Sequence, residues 1–447
     1  MKTRSDKYEA TDLKGLRIIF RSLRYRNYRL FFMGQSISLI GTWIQRLALP
    51  WLVYRLTGSA FLLGLVGFAG QIPTFLLTPF TGVLTDRWNR YHILIGTQIL
   101  AMIQALILSF LFFTGAIQVW HIILLSIFLG FVNSFDMPAR QAFVVEMVEK
   151  REDLGNAIAL NSSMVNSARL LGPSIAGVLI AATGEGTCFL LNGLSYLFVI
   201  GSLLMMKITP KKAKIQEGRV LQGLKEGFSY VFGFAPIRSI ILLLGLVSLM
   251  GMPYAVLMPV FAKEILHGGS HTFGFLMGAS GVGALAGALY LASRKSILGL
   301  GKIIPLSAAV FGFGLIAFSL SRFFYLSLTL MLITGLGMII QMASSNTILQ
   351  TIVDDDKRGR VMSFFAMAFV GTAPFGSLLA GALASSLGAP NTLVIGGISC
   401  VLGAAVFASR LSELRKIVHP IYVRLGIISE VASGIQTATE LTVPPEK

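Results

Sequence analysis

Runs of about twenty predominantly apolar residues recur along the chain from residue 30 to residue 409. Each is long enough to cross roughly 30 Å of hydrocarbon as a helix. A helix is the economical solution in lipid, because it satisfies its backbone hydrogen bonds within itself. Charge is too scarce for the alternative of one large water-soluble core. Only 13% of the 447 residues are charged, against roughly 25% in soluble domains. The sequence therefore predicts an all-α polytopic membrane protein with twelve transmembrane helices in two pseudo-symmetric six-helix bundles. The spans are expected at 30–54, 61–84, 93–115, 118–142, 154–182, 188–206, 238–262, 273–293, 303–320, 323–349, 361–387 and 393–409.

The net charge of +17 would suit a nucleic-acid partner, but its placement excludes that reading. If the N-terminus is cytoplasmic, nearly all of the 37 Lys and Arg residues fall in cytoplasmic segments. The opposite loops carry only Arg55, Lys263 and Arg322. This asymmetry predicts both termini in the cytoplasm. The chain then divides into a basic segment (1–29), a first bundle (30–206), a linker (207–237), a second bundle (238–409) and a tail (410–447). Within the linker, Val220, Leu224, Phe228 and Val231 or Phe232 recur at helical spacing beside Arg219 and Lys225, as in an amphipathic helix lying at the lipid surface. Residues 13–24 show the same pattern. After about residue 426 the composition shifts to Ser, Thr, Glu and Pro, which predicts no fixed fold. Cys188 and Cys400 lie in apolar segments of different halves and are expected as inert buried thiols.

A repeat links the halves. Gly155, Gly172, Gly177 and Gly184 recur 204 residues later as Gly359, Gly376, Gly381 and Gly388, and Ala176 recurs as Ala380. The expected arrangement is two parallel halves related by an axis along the membrane normal, a frequent transporter plan. Glycines at such spacing let helix backbones approach closely.

Between the second and third spans stand Gly82, Leu84, Asp86, Arg87 and Arg90. The fifth span contains Gly172, Pro173 and Gly177. The first group resembles the G-x-L-x-D-R-x-x-R loop of the major facilitator superfamily, and the second resembles the G-P-x-x-G element of its exporters. Asp136, Pro138 and Arg140, with Arg358, Gly359 and Arg360, are similar to the branch that contains the enterobactin exporter and macrolide-type efflux proteins. The resemblance spans residues 20–410 and implies a secondary transporter working by alternating access. It implies a cytoplasmic latch in which Arg87 and Arg90 reach Asp136, with Gly82, Asp86 and Arg140 nearby. The second half keeps only a remnant of the loop, Gly287 to Arg294 and Lys295, without an acid. The fourth span also lacks the early arginine of many drug–proton exchangers.

Charges inside spans point to function, since each costs roughly 2.5–3.5 kcal/mol at a helix centre. Asp136 and Arg140 are four apart and can face each other on one helix. Arg46 lies sixteen residues into the first span, roughly 24 Å along it at 1.5 Å per residue, and Arg169 fifteen residues into the fifth. Both belong to one layer without a carboxylate at that depth. Two readings stand: the arginines line a cavity and attract an acidic substrate group, or they snorkel to the interface. Gln45, Asn133, Asn166 and Gln341 are further cavity candidates. Asp136, with Glu146 behind it, is the candidate for carrying a coupling proton.

No G-x-x-x-x-G-K-[ST] loop is present, so direct ATP drive is not expected. The glycines at 278, 281, 283 and 287 sit within a span and are expected to pack helices. The five histidines are scattered without metal-ligand spacing, so neither an enzyme nor a cofactor is expected. The expected function is proton-coupled export of a small acidic or amphipathic organic solute by a monomer in a bacterial inner membrane. Import or uniport on the same fold, and a sensor or scaffold without transport, are the alternatives.

Overall fold

A computed structural model describes residues 20–207, 220–294 and 296–427, apart from the side chains at 79, 82, 83, 86, 87, 220–225 and 355. Twelve long helices follow one another. Spans one to six are Arg26–Thr57, Ala60–Arg87, Arg90–Phe113, Val119–Met147, Arg151–Thr183 and Glu185–Leu204. Span seven is Ala235–Ile265, and spans eight to ten are Ser270–Ser293, Leu300–Leu320 and Phe324–Ile352. Span eleven runs from Asp355 to Leu387 with a π turn in its middle, and span twelve is Ala389–Ser409. Eleven of these are long and apolar enough to cross a membrane. Span one, at 32 residues, has the length but carries Arg29, Arg46 and Arg55 along it.

The turns follow from their residues. Ser59 caps span two by accepting from Leu62 N–H at 3.3 Å, and Asn89 caps span three through Tyr91 N–H at 3.0 Å, the usual use of short polar side chains at a helix start. Gly184 (φ +81°) and Gly388 (φ +85°) each end one span and start the next. Only glycine takes that left-handed conformation at no steric cost, which explains this pair of the repeat.

Each half packs in the same pattern. Span one touches five and six, two touches four, and three touches four and six; seven touches eleven and twelve, eight touches ten, and nine touches ten and twelve. The halves meet where span two crosses eleven and span five crosses eight. At the first crossing a Cβ on Gly381 would stand 2.8 Å from Gly64 Cα, and at the second a Cβ on Gly177 would stand 2.9 Å from Gly274 Cα. The repeated glycines Gly177 and Gly381 thus make two symmetry-related backbone contacts. Gly155 and Gly359 have open space around them, and packing does not explain them.

Both crossings lie toward the face opposite the one at which the described residues begin and end. There Ser270 Oγ donates to the Gly177 carbonyl at 3.1 Å, and Trp51 stacks on Phe273 at 5.9 Å. Tyr54 donates to Glu264. These contacts seal the far face. Toward the middle, Phe75 meets Phe375 edge-on at 5.4 Å.

Short elements brace the near face. Residues Arg21–Arg24 form one 3-10 turn; the rest of the amphipathic stretch expected over 13–24 lies, up to residue 19, outside the described residues. Asp153 at the start of span five takes Arg21 at 3.0 Å, Arg24 at 2.5 Å and the Tyr25 hydroxyl at 2.6 Å. The linker helix Val220–Gly233 docks on the start of span eleven, with Arg360 and Glu226 paired at 2.9 Å. A further helix, Leu411–Arg424, was not expected in the tail; it buries Leu414 and Val418. The tail after 427 lies outside the described residues.

π turns occur at Val247–Gly251 and Phe261–Ile265 in span seven and at Met367–Gly371 in span eleven. They flank Pro253, Pro259 and Pro374. A proline has no N–H to give, and a widened turn accommodates the missing hydrogen bond.

Candidate functional site

Trp43 and Arg46 stand three apart on span one and so share a face. The Arg46 guanidinium lies 5.0 Å from the Trp43 ring centroid, and the Arg169 guanidinium, from span five, lies 5.5 Å from the same ring. Cation–π attraction orients both. Gly172 makes the arrangement possible. A Cβ there would come within 2.4 Å of Trp43 Cβ, so span five can seat against this tryptophan only with glycine at that position. The exporter-like element therefore has two tasks: Gly172 seats Trp43, and Gly177 crosses Gly274. Pro173 is buried between them.

Neither guanidinium has a hydrogen bond or ion pair among the described residues, and Arg169 Nε is buried without a partner. The ionisable groups within electrostatic reach of Arg46 are the cations Arg169 and Arg140 and the hydroxyl of Tyr196. Arg46 is nevertheless exposed although it lies among the helices, so open space adjoins it there. Asn166, one turn before Arg169, is exposed, and Asn133 is half-buried; neither amide has a hydrogen-bond partner among the described residues. From the other half, the Tyr254 hydroxyl comes within electrostatic reach of Arg169 and lies 2.8 Å from Ser280 Oγ.

Two expected cavity residues belong elsewhere. Gln45 is buried inside the first bundle, donating to Gln104 Oε1 at 3.0 Å and accepting from Asn192 at 2.8 Å. Gln341 is buried in span ten, with Ser345 Oγ at 3.5 Å. Gln45 points into the contacts of span one with spans three and six, and the partner of Gln341 is one turn along its own helix.

The acids are also differently engaged. Asp136 pairs with Arg140 at 3.3 Å, as its spacing predicts, and accepts from Gln98 at 2.7 Å and Thr97 at 3.1 Å. Arg90 pairs with Glu146 at 2.6 Å and not, among the described contacts, with Asp136. Span four extends to Met147, past the expected end at 142, and that extra turn brings Glu146 opposite Arg90. The remaining latch residues, Gly82, Asp86 and Arg87, lie outside the described side chains.

Trp43, Tyr254 and the far-face pair Tyr54–Glu264 were not singled out from sequence. The Trp43–Arg46 spacing was the one available signal; the others required the crossing of the halves. Two grooves, of about 610 Å³ around Trp88, His92 and Phe131 and about 590 Å³ around Leu171, Phe275 and Phe324, open among exposed apolar side chains. Neither is lined by Arg46 or Arg169.

A family described as transmembrane secretion effector, of the major facilitator type, matches residues 19–419. The chain is 28% identical over 393 residues to the staphyloferrin A transporter of Staphylococcus aureus, covering 86% of this chain and 97% of that one. It is 21% identical over 405 residues to macrolide efflux protein A of Streptococcus pyogenes, covering 88% and 99%. It is 25% identical over 394 residues to the multidrug efflux pump Tap of Mycolicibacterium fortuitum, covering 84% and 93%. Among solved structures, an inward-facing, unoccupied bacterial homologue of the human lysosomal transporter Spinster superposes with a TM-score of 0.67 at 14% identity, covering 88% and 98%. An inward-facing bacterial homologue of the iron transporter ferroportin gives 0.65 at 18%, covering 87% and 99%.

Proposed function

Because the chain belongs to the transmembrane secretion effector family of major facilitator transporters, we propose that it is a secondary active exporter of a small acidic organic solute. The observation that carries this reading is the pair of unpartnered arginines about Trp43. Two like charges beside one indole repel each other, and no carboxylate among the described residues offsets them. An anionic solute would.

The face bearing the chain's ends is the cytoplasm in this reading, because nearly all Lys and Arg lie there, and the membrane is a bacterial plasma membrane. With the far face closed by the glycine crossings, the conformation is inward-facing, ready to load solute from the cytoplasm. Rocking of one half on the other then exposes Arg46 and Arg169 to the outside. The contacts of Arg90 with Glu146 and of Asp136 with Arg140, together with Gly82, Asp86 and Arg87, form the near-face latch. The chain works as a monomer, with protons as the coupling ion. Asp136 is the first candidate to carry them and Glu146 the second. Gly172, Pro173 and Gly177 supply the close packing on which the rocking turns.

The test is transport by Arg46→Gln and Arg169→Gln. Efflux of acidic solutes is expected to fall at least tenfold, and efflux of neutral ones to change less than threefold. Equal loss for both classes at normal expression overturns the substrate role.

A further inference from the structure

Resting on the exporter reading, we propose that the solute carries two ionised acid groups on separate arms, one for each guanidinium beside Trp43. Among the described residues the site holds two cations and no anion. Arg46 and Arg169 each lie within a short contact of the same indole, so both charges are within reach of one small molecule. The third cation acting on Arg46, Arg140, is already neutralised by Asp136 on its own helix. Across the divide between the halves, the ionisable group within electrostatic reach of Arg169 is the Tyr254 hydroxyl, which is hydrogen-bonded with Ser280 and supplies no negative charge at neutral pH. Glu264, also on span seven, is engaged at the far face with Tyr54.

The electrostatic consequence is stepwise. In a medium of low dielectric constant, an unpaired charge is costly and a paired one much less so. A neutral solute leaves two uncompensated charges in the cavity, a monoacid leaves one, and a diacid leaves none. A cationic solute adds a third. Guanidinium groups also favour carboxylate and phosphate geometrically, through paired parallel N–H donors. With one guanidinium 5.0 Å and the other 5.5 Å from the same ring centroid, two acid groups on separate arms of a short linker can each meet one of them. Asn166, one turn before Arg169, offers an amide without a partner among the described residues to a hydroxyl or carbonyl oxygen on that linker.

The experiment uses the full-length purified protein and a matched series: glutarate, its monoamide and its diamide, with propane-1,3-bisphosphonate as the phosphorus counterpart. Binding is read by tryptophan fluorescence and by thermal shift. Glutarate is expected to bind at least tenfold more tightly than the monoamide, with the diamide weakest. Arg46→Gln and Arg169→Gln should each bring glutarate down to the monoamide's affinity and leave the monoamide within threefold. Arg46→Lys and Arg169→Lys retain charge and should keep the order of the series, which separates loss of charge from loss of fold. A bisphosphonate stronger than glutarate assigns the acid groups to phosphorus, and a weaker one assigns them to carboxylates; either agrees with two ionised groups. Equal affinity for glutarate and its monoamide in the unaltered protein overturns the proposal, as does a single-glutamine variant that keeps the tenfold preference. Export is scored separately in everted vesicles. Diacids that bind but are not moved refute the exporter reading and leave the ligand class standing. Export of neutral or cationic solutes that is unaffected by the arginine variants refutes the ligand class and leaves the exporter standing.

Discussion

Adjacent residues on span one have opposite fates. Arg46 faces open space beside Trp43, and Gln45 is locked between Gln104 and Asn192. Replacing Gln45 by Leu would strand a buried donor on Asn192 and a buried acceptor on Gln104, which costs about 1–3 kcal/mol for each group left unsatisfied. We expect a thermal midpoint several degrees lower and a solute affinity within twofold of normal; a tenfold loss of affinity at an unchanged midpoint would place Gln45 at the solute after all. Asp136 poses a different question, since its carboxylate already accepts from Arg140, Gln98 and Thr97. For it to carry a proton, that set must loosen during the cycle. Asp136→Asn is then expected to lose at least tenfold of the stimulation by a pH gradient and to retain solute exchange without a gradient. Full retention of the gradient dependence removes Asp136 from the coupling role.

At the scale of helices, the glycine repeat separates into positions with distinct physical tasks. Gly184 and Gly388 turn the chain, Gly172 admits Trp43, and Gly177 and Gly381 set the crossings of the halves. Close backbone approach of this kind replaces the hydrophobic drive that is missing between helices in lipid. Gly177→Val and Gly381→Val are each expected to lower transport more than tenfold at normal membrane levels, because the far face cannot close around the added methyls. Gly155→Ala and Gly359→Ala meet no neighbouring atoms and serve as controls with transport within twofold. If the control and crossing variants behave alike, the glycines act through helix propensity and not through the crossings. The resemblance to a known family made the fifth-span motif legible as an element, but the contacts it makes belong to span one and to span eight.

For the whole molecule, the sealed far face makes a claim about motion. Trp51 and Phe273 stack at 5.9 Å across the two halves, and they must part whenever that face opens. A Trp51→Cys, Phe273→Cys double variant is expected to cross-link with a short, reducible bis-thiol reagent and to lose at least nine-tenths of its transport, recovering on reduction. The native thiols Cys188 and Cys400 are buried and do not interfere. Undiminished transport by the cross-linked protein would mean that the halves do not separate there. Twelve spans, their order and the two-bundle plan were all legible before any coordinates, as was the pairing of Asp136 with Arg140.

What the sequence by itself determined is one-dimensional: how many segments match the hydrocarbon thickness, where charge accumulates, and which positions repeat. Hydrocarbon thickness and helical rise act on each segment separately, so no knowledge of neighbours is needed. What only the tertiary structure decided is which side of each helix meets the pathway. Consecutive residues differ by about 100° around a helix, so Gln45 and Arg46 are equivalent in depth and opposite in surroundings. The same holds for Arg90, whose partner Glu146 emerges only once span four is seen to continue for another turn. Rotation about the helix axis is set by packing against the neighbouring spans, and the partners that fix it lie tens to hundreds of residues away along the chain.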